Sequence, residues 1–213
     1  MKVLMITGDK NFLTPGTTAY ERLELQRTQV DRLEVLYWGR GSLWPKAPKG
    51  PFVVVTVQDP FWRGLFAWGL SSRFKASFNV QVHTDLSGQP PVRRALAGVI
   101  LRRANSIRAV SEEIKCQVIS LGVRAPVHVL PVYVNLSEFL TIVRQSHATK
   151  TILWLGRFED EKNPIAAISV LKEVLAVGIK AKLIMLGAGS MEEALELQAK
   201  GLPVEFPGWQ DPK

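Results

Sequence analysis

Two cations set five residues apart, Arg157 and Lys162, lie in the stretch TILWLGRFEDEKN (151–163), between an apolar run and the helix-opening pair Asn163-Pro164. Asn is a good N-cap, and Pro suits the first helical position, where an N–H would lack an intrahelical partner anyway. The two cations therefore stand around a helix N-terminus, whose free N–H groups and dipole attract anions. That chemistry suits a diphosphate. A surface strand-to-helix turn with two solvated charges describes the same stretch equally well. The intervening Glu159-Asp160-Glu161 reads as solvated loop charge beside Lys162.

Three further groups could do chemistry. His83, followed by Thr84 and Asp85, closes one apolar run, and Gln58-Asp59 closes another. A histidine there, on the edge where ligands are expected, is a candidate site group or a satisfied residue of a strand-end loop. Asp59 before Pro60 also has the form of an Asx turn. Gly187-Ala188-Gly189 allows a tight strand-to-helix turn and close approach of a ligand, and the turn alone would justify both glycines. It lacks the third glycine of a dinucleotide fingerprint, so a nicotinamide cofactor is not indicated. No Asp-x-Asp metal motif and no Ser/His/Asp set occur, and the single Cys116 excludes an internal disulfide or a multi-cysteine metal site. Neither a metal nor a cofactor is expected.

The elements that must position these residues alternate in type. Apolar runs at 2–7, 32–37, 52–57, 78–83, 107–110 and 127–132 read as strands, and the intervening segments from 18, 60, 91 and 112 read as helices. Thr18 with Glu21 has the form of a capping box. After a polar stretch at 135–150 the pattern restarts, with strands at 151–156, 182–186 and 204–206 and helices at 164–177 and 191–200. Such alternation predicts an α/β protein with parallel sheets: a Rossmann-like domain over 1–134, a linker over 135–150 and a second Rossmann-like unit over 151–213. Ligands are expected at the carboxyl ends of the strands. One connection is odd, because a parallel pair needs a crossover of about a dozen residues, usually helical. Strands 32–37 and 52–57 are joined only by the Gly/Pro-rich 39–51, so either they are not neighbours or a crossover helix has been lost.

Composition narrows the partners. The 213 residues are 46% hydrophobic and carry a net charge of +8, which invites an anionic partner. Arg93, Arg94, Arg102, Arg103 and Arg108 spread around a helical wheel without interleaved aromatics, which does not suit a nucleic-acid reader. A weakly basic face for anionic lipid or a phosphorylated substrate fits better. No run approaches the roughly 20 apolar residues of a membrane span. The apolar run after Met1-Lys2 is too short for a signal-peptide core, and one cysteine suits a reducing cytoplasm.

The motifs in order resemble a family-4-type glycosyltransferase of the GT-B fold: VQDPF (57–61), VQVHTD (80–85), RRANSIRAVSE (102–112), VHVLPVYVN (127–135), GRFEDEKN (156–163), LGAGS (186–190) and VEFPGW (204–209). The resemblance implies two Rossmann-like domains facing across a cleft, and a hexosyl transfer from a nucleotide sugar to an acceptor with retention of configuration, as in polysaccharide biosynthesis. It places Arg157 and Lys162, with Gly187 and Gly189, at the donor diphosphate. It places His83 and Asp85 at the catalytic edge, and Gly8, Gly16 and Asp59 on the acceptor side. The acceptor's own class (glycan, lipid or small molecule) stays open. A peripheral position on the inner face of the cell membrane is also implied.

The chain departs from that family in three places. Pro131–Asn135 replaces a P-N-G-V-D-like run, the 39–51 connection lacks a helix, and the E-x(7)-E segment that binds the donor's sugar and ribose does not occur before Lys213. The second domain is therefore expected to be truncated, with an unpaired sheet edge and uncovered apolar surface. An alternative follows: a catalytically incomplete remnant or subunit that binds phosphate, a partner or a membrane surface.

Overall fold

The computed structural model describes residues 1–39, 45–134, 136–141, 143 and 149–210. The chain divides into two compact units, Met1–Leu140 and Thr141–Lys213. The division falls inside the polar stretch 135–150, of which residues 135, 142 and 144–148 lie outside the described residues. Residues 40–44 of the Gly/Pro-rich connection lie outside them too.

The first unit contains, in chain order, β1 (Lys2–Thr7), α1 (Thr18–Arg27), β2 (Arg32–Tyr37), β3 (Val54–Val57), α2 (Trp62–Phe74), β4 (Ser77–Val82), α3 (Pro91–Leu101), β5 (Ser106–Ala109), α4 (Glu112–Ser120), β6 (Val127–Val129) and the single turn α5 (Ser137–Leu140). The strands form one parallel sheet in the order β2-β1-β3-β4-β5-β6. β1 therefore separates β2 from β3, which answers the odd connection: the two strands are not neighbours. Both faces of the sheet are packed, as parallel sheets require. Leu4, Ile6, Val55 and Val57 point into one core with Phe66, Leu70 and Ile100, while Met5 points the other way onto Phe12, Ala19 and Leu23. The period-2 alternation of β1 thus serves two cores at once.

The second unit contains β7 (Lys150–Leu155), α6 (Ile165–Ala176), β8 (Ala181–Leu186), α7 (Glu192–Ala199) and β9 (Val204–Gly208), with the three strands parallel in that order. α6 and α7 turn Ile168, Leu171, Leu195 and Ala199 onto Leu183, Met185 and Phe158. The far side of β7 is bare: Leu153 is 62% and Leu155 74% exposed. The expected uncovered apolar surface is present.

Two helix starts differ from their sequence reading. Thr17, not Thr18, caps α1, its hydroxyl accepting from the Tyr20 amide at 3.2 Å. Asn163 does not cap α6 with its side chain; it is left-handed, with φ +46°, and Pro164 precedes the first helical residue. Steric conflict with the Pro ring disfavours the α region for the preceding residue, and Asn tolerates the left-handed alternative.

Candidate functional site

At the carboxyl ends of the first sheet lies a cavity of about 320 Å³, lined by Gly8, Asp9, Phe12, Arg22, Gln26, Gln58, Asp59, Arg63, His83 and Arg108. Its floor is set by strand ends. The Thr7 hydroxyl donates to Gln58 Oε1 at 2.6 Å and accepts from the Asp9 amide at 3.0 Å, which ties the end of β1 to the end of β3. Asp59 Oδ1 accepts from the Phe61 amide at 3.0 Å, so the Asx turn is real, and Asp59 Oδ2 pairs with Arg63 Nη1 at 2.7 Å. Arg63 Nε donates to the Trp38 carbonyl at 2.7 Å. Gly8 makes room for this guanidinium: a Cβ there would stand 2.3 Å from Arg63 Cζ.

Arg108 enters from β5. Its three nitrogens donate to the Leu130 carbonyl (Nε, 2.9 Å), to Gln81 Oε1 (Nη1, 2.9 Å) and to the Pro131 carbonyl (Nη2, 2.8 Å), all neutral acceptors. Burial, then the neighbouring Arg22, pushes its pKa down. Arg22 and Gln26 share a face of α1 one turn apart, and the Arg22 guanidinium lies 5.7 Å from the Phe12 ring centre. Its Nε is buried without a hydrogen-bond partner, and among the described residues no carboxylate pairs with it.

His83 stands at the end of β4. Its side chain is exposed at the rim, with part of the imidazole withdrawn from solvent. That desolvation, followed by the charges of Arg108 and Arg22, lowers its pKa to about 4. The imidazole is therefore neutral at physiological pH, able to give or take a hydrogen bond and unable to act as a cation.

Of the residues expected here, His83, Asp59 and Gly8 meet in the cavity, and Asp85 and Gly16 do not line it. Asp85 turns into its own loop, accepting from the Ser87 hydroxyl (2.7 Å), the Ser87 amide (3.0 Å) and the Gly88 amide (3.3 Å). The Ser87 bonds hold its carboxyl below the usual range. Gly16 is an exposed turn glycine at φ +81° with open space around it. Arg22 and Arg63 were missed because a single arginine on a helix carries no sign of the face it will occupy. Arg108 sits inside the RRANSIRAVSE stretch, where Arg103 went elsewhere, over Trp68 at 4.9 Å, as did Arg93 upstream of it, over Phe61 at 4.1 Å.

The second unit carries its own rim. Gly187 and Gly189 are glycines because two loops touch backbone to backbone. A Cβ on Gly187 would stand 1.8 Å from the Gly156 carbonyl oxygen, and one on Gly189 2.5 Å from that of Phe158. The Phe158 amide donates to the Ala188 carbonyl at 3.0 Å, and the Met191 amide to the Phe158 carbonyl at 3.0 Å. Phe158 anchors the junction, fully buried against Trp154 and Phe206.

The acidic loop is not simply solvated. Glu159 accepts from the Ser190 hydroxyl at 2.8 Å and the Ser190 amide at 3.2 Å, which hold its pKa down. Glu161 pairs with Arg157 and lies 4.0 Å from Lys162 Nζ. The amides of Ala166 and Ala167, expected to be free, donate back to the carbonyls of Asn163 (3.2 Å) and Pro164 (3.1 Å). Arg157 and Lys162 thus do share one rim at the end of β7, with Glu161 between them.

No family model matches the chain. A GDP-mannose-dependent alpha-(1-6)-phosphatidylinositol dimannoside mannosyltransferase from Mycobacterium tuberculosis (strain ATCC 25177 / H37Ra) is 37% identical over 70 residues, which is 32% of this chain and 18% of that relative. Among solved structures, the apo form of the lipopolysaccharide outer core galactosyltransferase WaaB matches with a TM-score of 0.72 at 17% identity, over 99% of this chain and 69% of that one. The fold is of GT-B type. Anabaena HepE in complex with UDP and glucose matches with a TM-score of 0.67 at 12% identity, over 99% of this chain and 70% of that one. The chain thus spans about 70% of these two solved structures, and its second unit has three strands among the described residues. Among the described residues no helix is long and apolar enough to cross a membrane, and no group of His, Cys, Asp and Glu could hold a metal ion.

Proposed function

We propose that the chain is the core of a glycosyltransferase that moves a hexosyl group from a nucleotide sugar to an acceptor, with Arg157 and Lys162 on the donor diphosphate. The observation that supports this reading is the second rim. Two cations stand at the carboxyl end of a parallel strand, on a loop locked to a glycine turn by backbone contacts, in a fold whose relatives include a named mannosyltransferase and a named galactosyltransferase. Negative charge builds on the leaving diphosphate as the glycosidic bond breaks, and cations fixed beforehand stabilise it without reorganising. Because Glu161 occupies Arg157, an incoming diphosphate would displace that carboxylate and take its place. Exposed ion pairs are weak, about 0–1 kcal/mol, so the exchange is cheap.

Retention of configuration belongs to the same proposal, as does weak association with an anionic membrane surface. Trp62 at the N-terminal end of α2, and Val92, Arg93 and Arg94 at that of α3, are all exposed. The decisive test is calorimetric titration of UDP and GDP. Arg157→Ala should weaken nucleoside-diphosphate binding at least tenfold, while Glu161→Gln, which frees the guanidinium, should keep or tighten it. Equal affinity in wild type and Arg157→Ala would sink the assignment.

A further inference from the structure

We propose that the cavity of the first unit binds a phosphate group carried by the acceptor, with Arg22 and Arg108 as its ligands. The proposal rests on the reading of the first unit as the acceptor side and names the acceptor's chemical class.

The charge balance of the cavity is the first argument. Three guanidiniums, Arg22, Arg63 and Arg108, face two carboxylates, Asp9 and Asp59. Asp59 is paired with Arg63, and Asp9 Oδ1 caps its own loop through the Asn11 amide at 2.9 Å. Arg22 and Arg108 are left with no carboxylate bound to either among the described residues. Holding two cations together beside a desolvated histidine is unfavourable in an empty pocket and favourable once an anion enters it.

Donor accounting is the second. A guanidinium has five N–H donors, of which Arg108 gives one each to Leu130, Gln81 and Pro131. The group is fixed in place by neutral acceptors and keeps both its charge and spare donors. The Arg22 Nε is buried with no partner, and a buried donor left unpaired is destabilising. A phosphate offers several acceptor oxygens and a charge, and its geometry matches a guanidinium fork. At about 320 Å³ the cavity has room for a phosphate with part of a sugar or polyol attached. His83, neutral at the same rim, would add a hydrogen bond and no competing charge.

The test is titration of inorganic phosphate into the whole chain, followed by the His83 imidazole resonances in NMR. An anion beside Arg22 and Arg108 should raise the His83 pKa from about 4. Arg22→Met, which keeps the aliphatic stem over Phe12, should weaken phosphate binding at least tenfold and abolish the histidine shift. Arg22→Lys, which folds with the charge in place, should retain part of both. Lys172→Ala removes an equal charge from an exposed position on α6 and should change neither.

Two further arms separate the sources of the phosphate. Arg22-dependent binding to phosphatidylcholine vesicles containing phosphatidylinositol, and not to phosphatidylcholine alone, assigns a lipid headgroup. Arg22-dependent binding of glucose 6-phosphate without vesicle binding assigns a soluble sugar phosphate. Unchanged phosphate affinity in Arg22→Met overturns the proposal, and so does an equal loss of UDP affinity, which would make the cavity part of the donor site. In the wild-type chain, absence of phosphate binding with UDP binding intact defeats this proposal alone; absence of UDP binding with phosphate binding intact defeats only the donor assignment.

Discussion

The two sheets end in polar rims of opposite character. In the first unit, strand ends and α1 surround a cavity in which Arg22 and Arg108 have no carboxylate of their own. In the second, Arg157 is already met by Glu161, and Glu159 is tied to Ser190. The first rim leaves two guanidiniums without a carboxylate among the described residues, while the second answers its own charges. The cores differ in the same direction. The six-stranded sheet of one unit carries a core on each face; the three-stranded sheet of the other leaves Leu153 and Leu155 bare. The second rim therefore depends more heavily on local loop packing, because less of its sheet is covered.

The largest effect should come from attacking that loop packing. Gly187→Ala puts a methyl 1.8 Å from a backbone oxygen at φ +152°. Overpacking costs about 1–3 kcal/mol, and forced backbone geometry adds about 1–3 kcal/mol more. Urea unfolding followed through Trp154 should show the second unit's transition lost or shifted far to lower urea. Gly16→Ala in the first unit, at φ +81° with nothing nearby, should cost only about 1 kcal/mol. Similar costs at the two glycines would remove the distinction between a turn and a close approach.

A pair of leucines tests the cores. Leu4→Ala, fully buried in the first sheet, should cost about 2–5 kcal/mol. Leu153→Thr, on the bare face of β7, should leave thermal stability nearly unchanged and reduce self-association in light scattering. A large stability loss at Leu153 would show that something covers that face in solution.

The last contrast is the pH response of the first rim. His83 has a folded pKa of about 4, below its unfolded value of 6.5. As pH falls through 6.5 the unfolded chain takes up the proton first, so stability present above that pH should decline down to about 4 and then level. His83→Gln should flatten this slope in chemical denaturation between pH 7 and pH 4; an unaltered slope would show that His83 titrates normally.

Much of this architecture was legible because each local signal agreed with the fold. β1 and β2 run over the residues their apolar runs mark, and Gly187 and Gly189 fall where a tight turn was expected. The misreadings were of two kinds. Thr17 replaced Thr18, and Asn163 went left-handed, because helix ends respond to neighbouring backbone geometry that one-residue preferences do not carry. Asp85 bound its own loop, because a carboxylate two residues from an amide satisfies itself locally before it can serve a site.

By itself, the sequence determined the alternation of strands and helices, the polar stretch at 135–150 after which the pattern restarts, and the placing of Arg157 and Lys162 on one loop. Those are short-range properties of periodicity and spacing. Tertiary structure alone decided that β1 would separate β2 from β3, and that Arg22, Arg63, His83 and Arg108 would meet around one cavity. The reason is that these residues belong to four different elements. Only the parallel stacking of strand ends gives residues so far apart in the chain a common edge, and only burial shows which arginine is left without a partner.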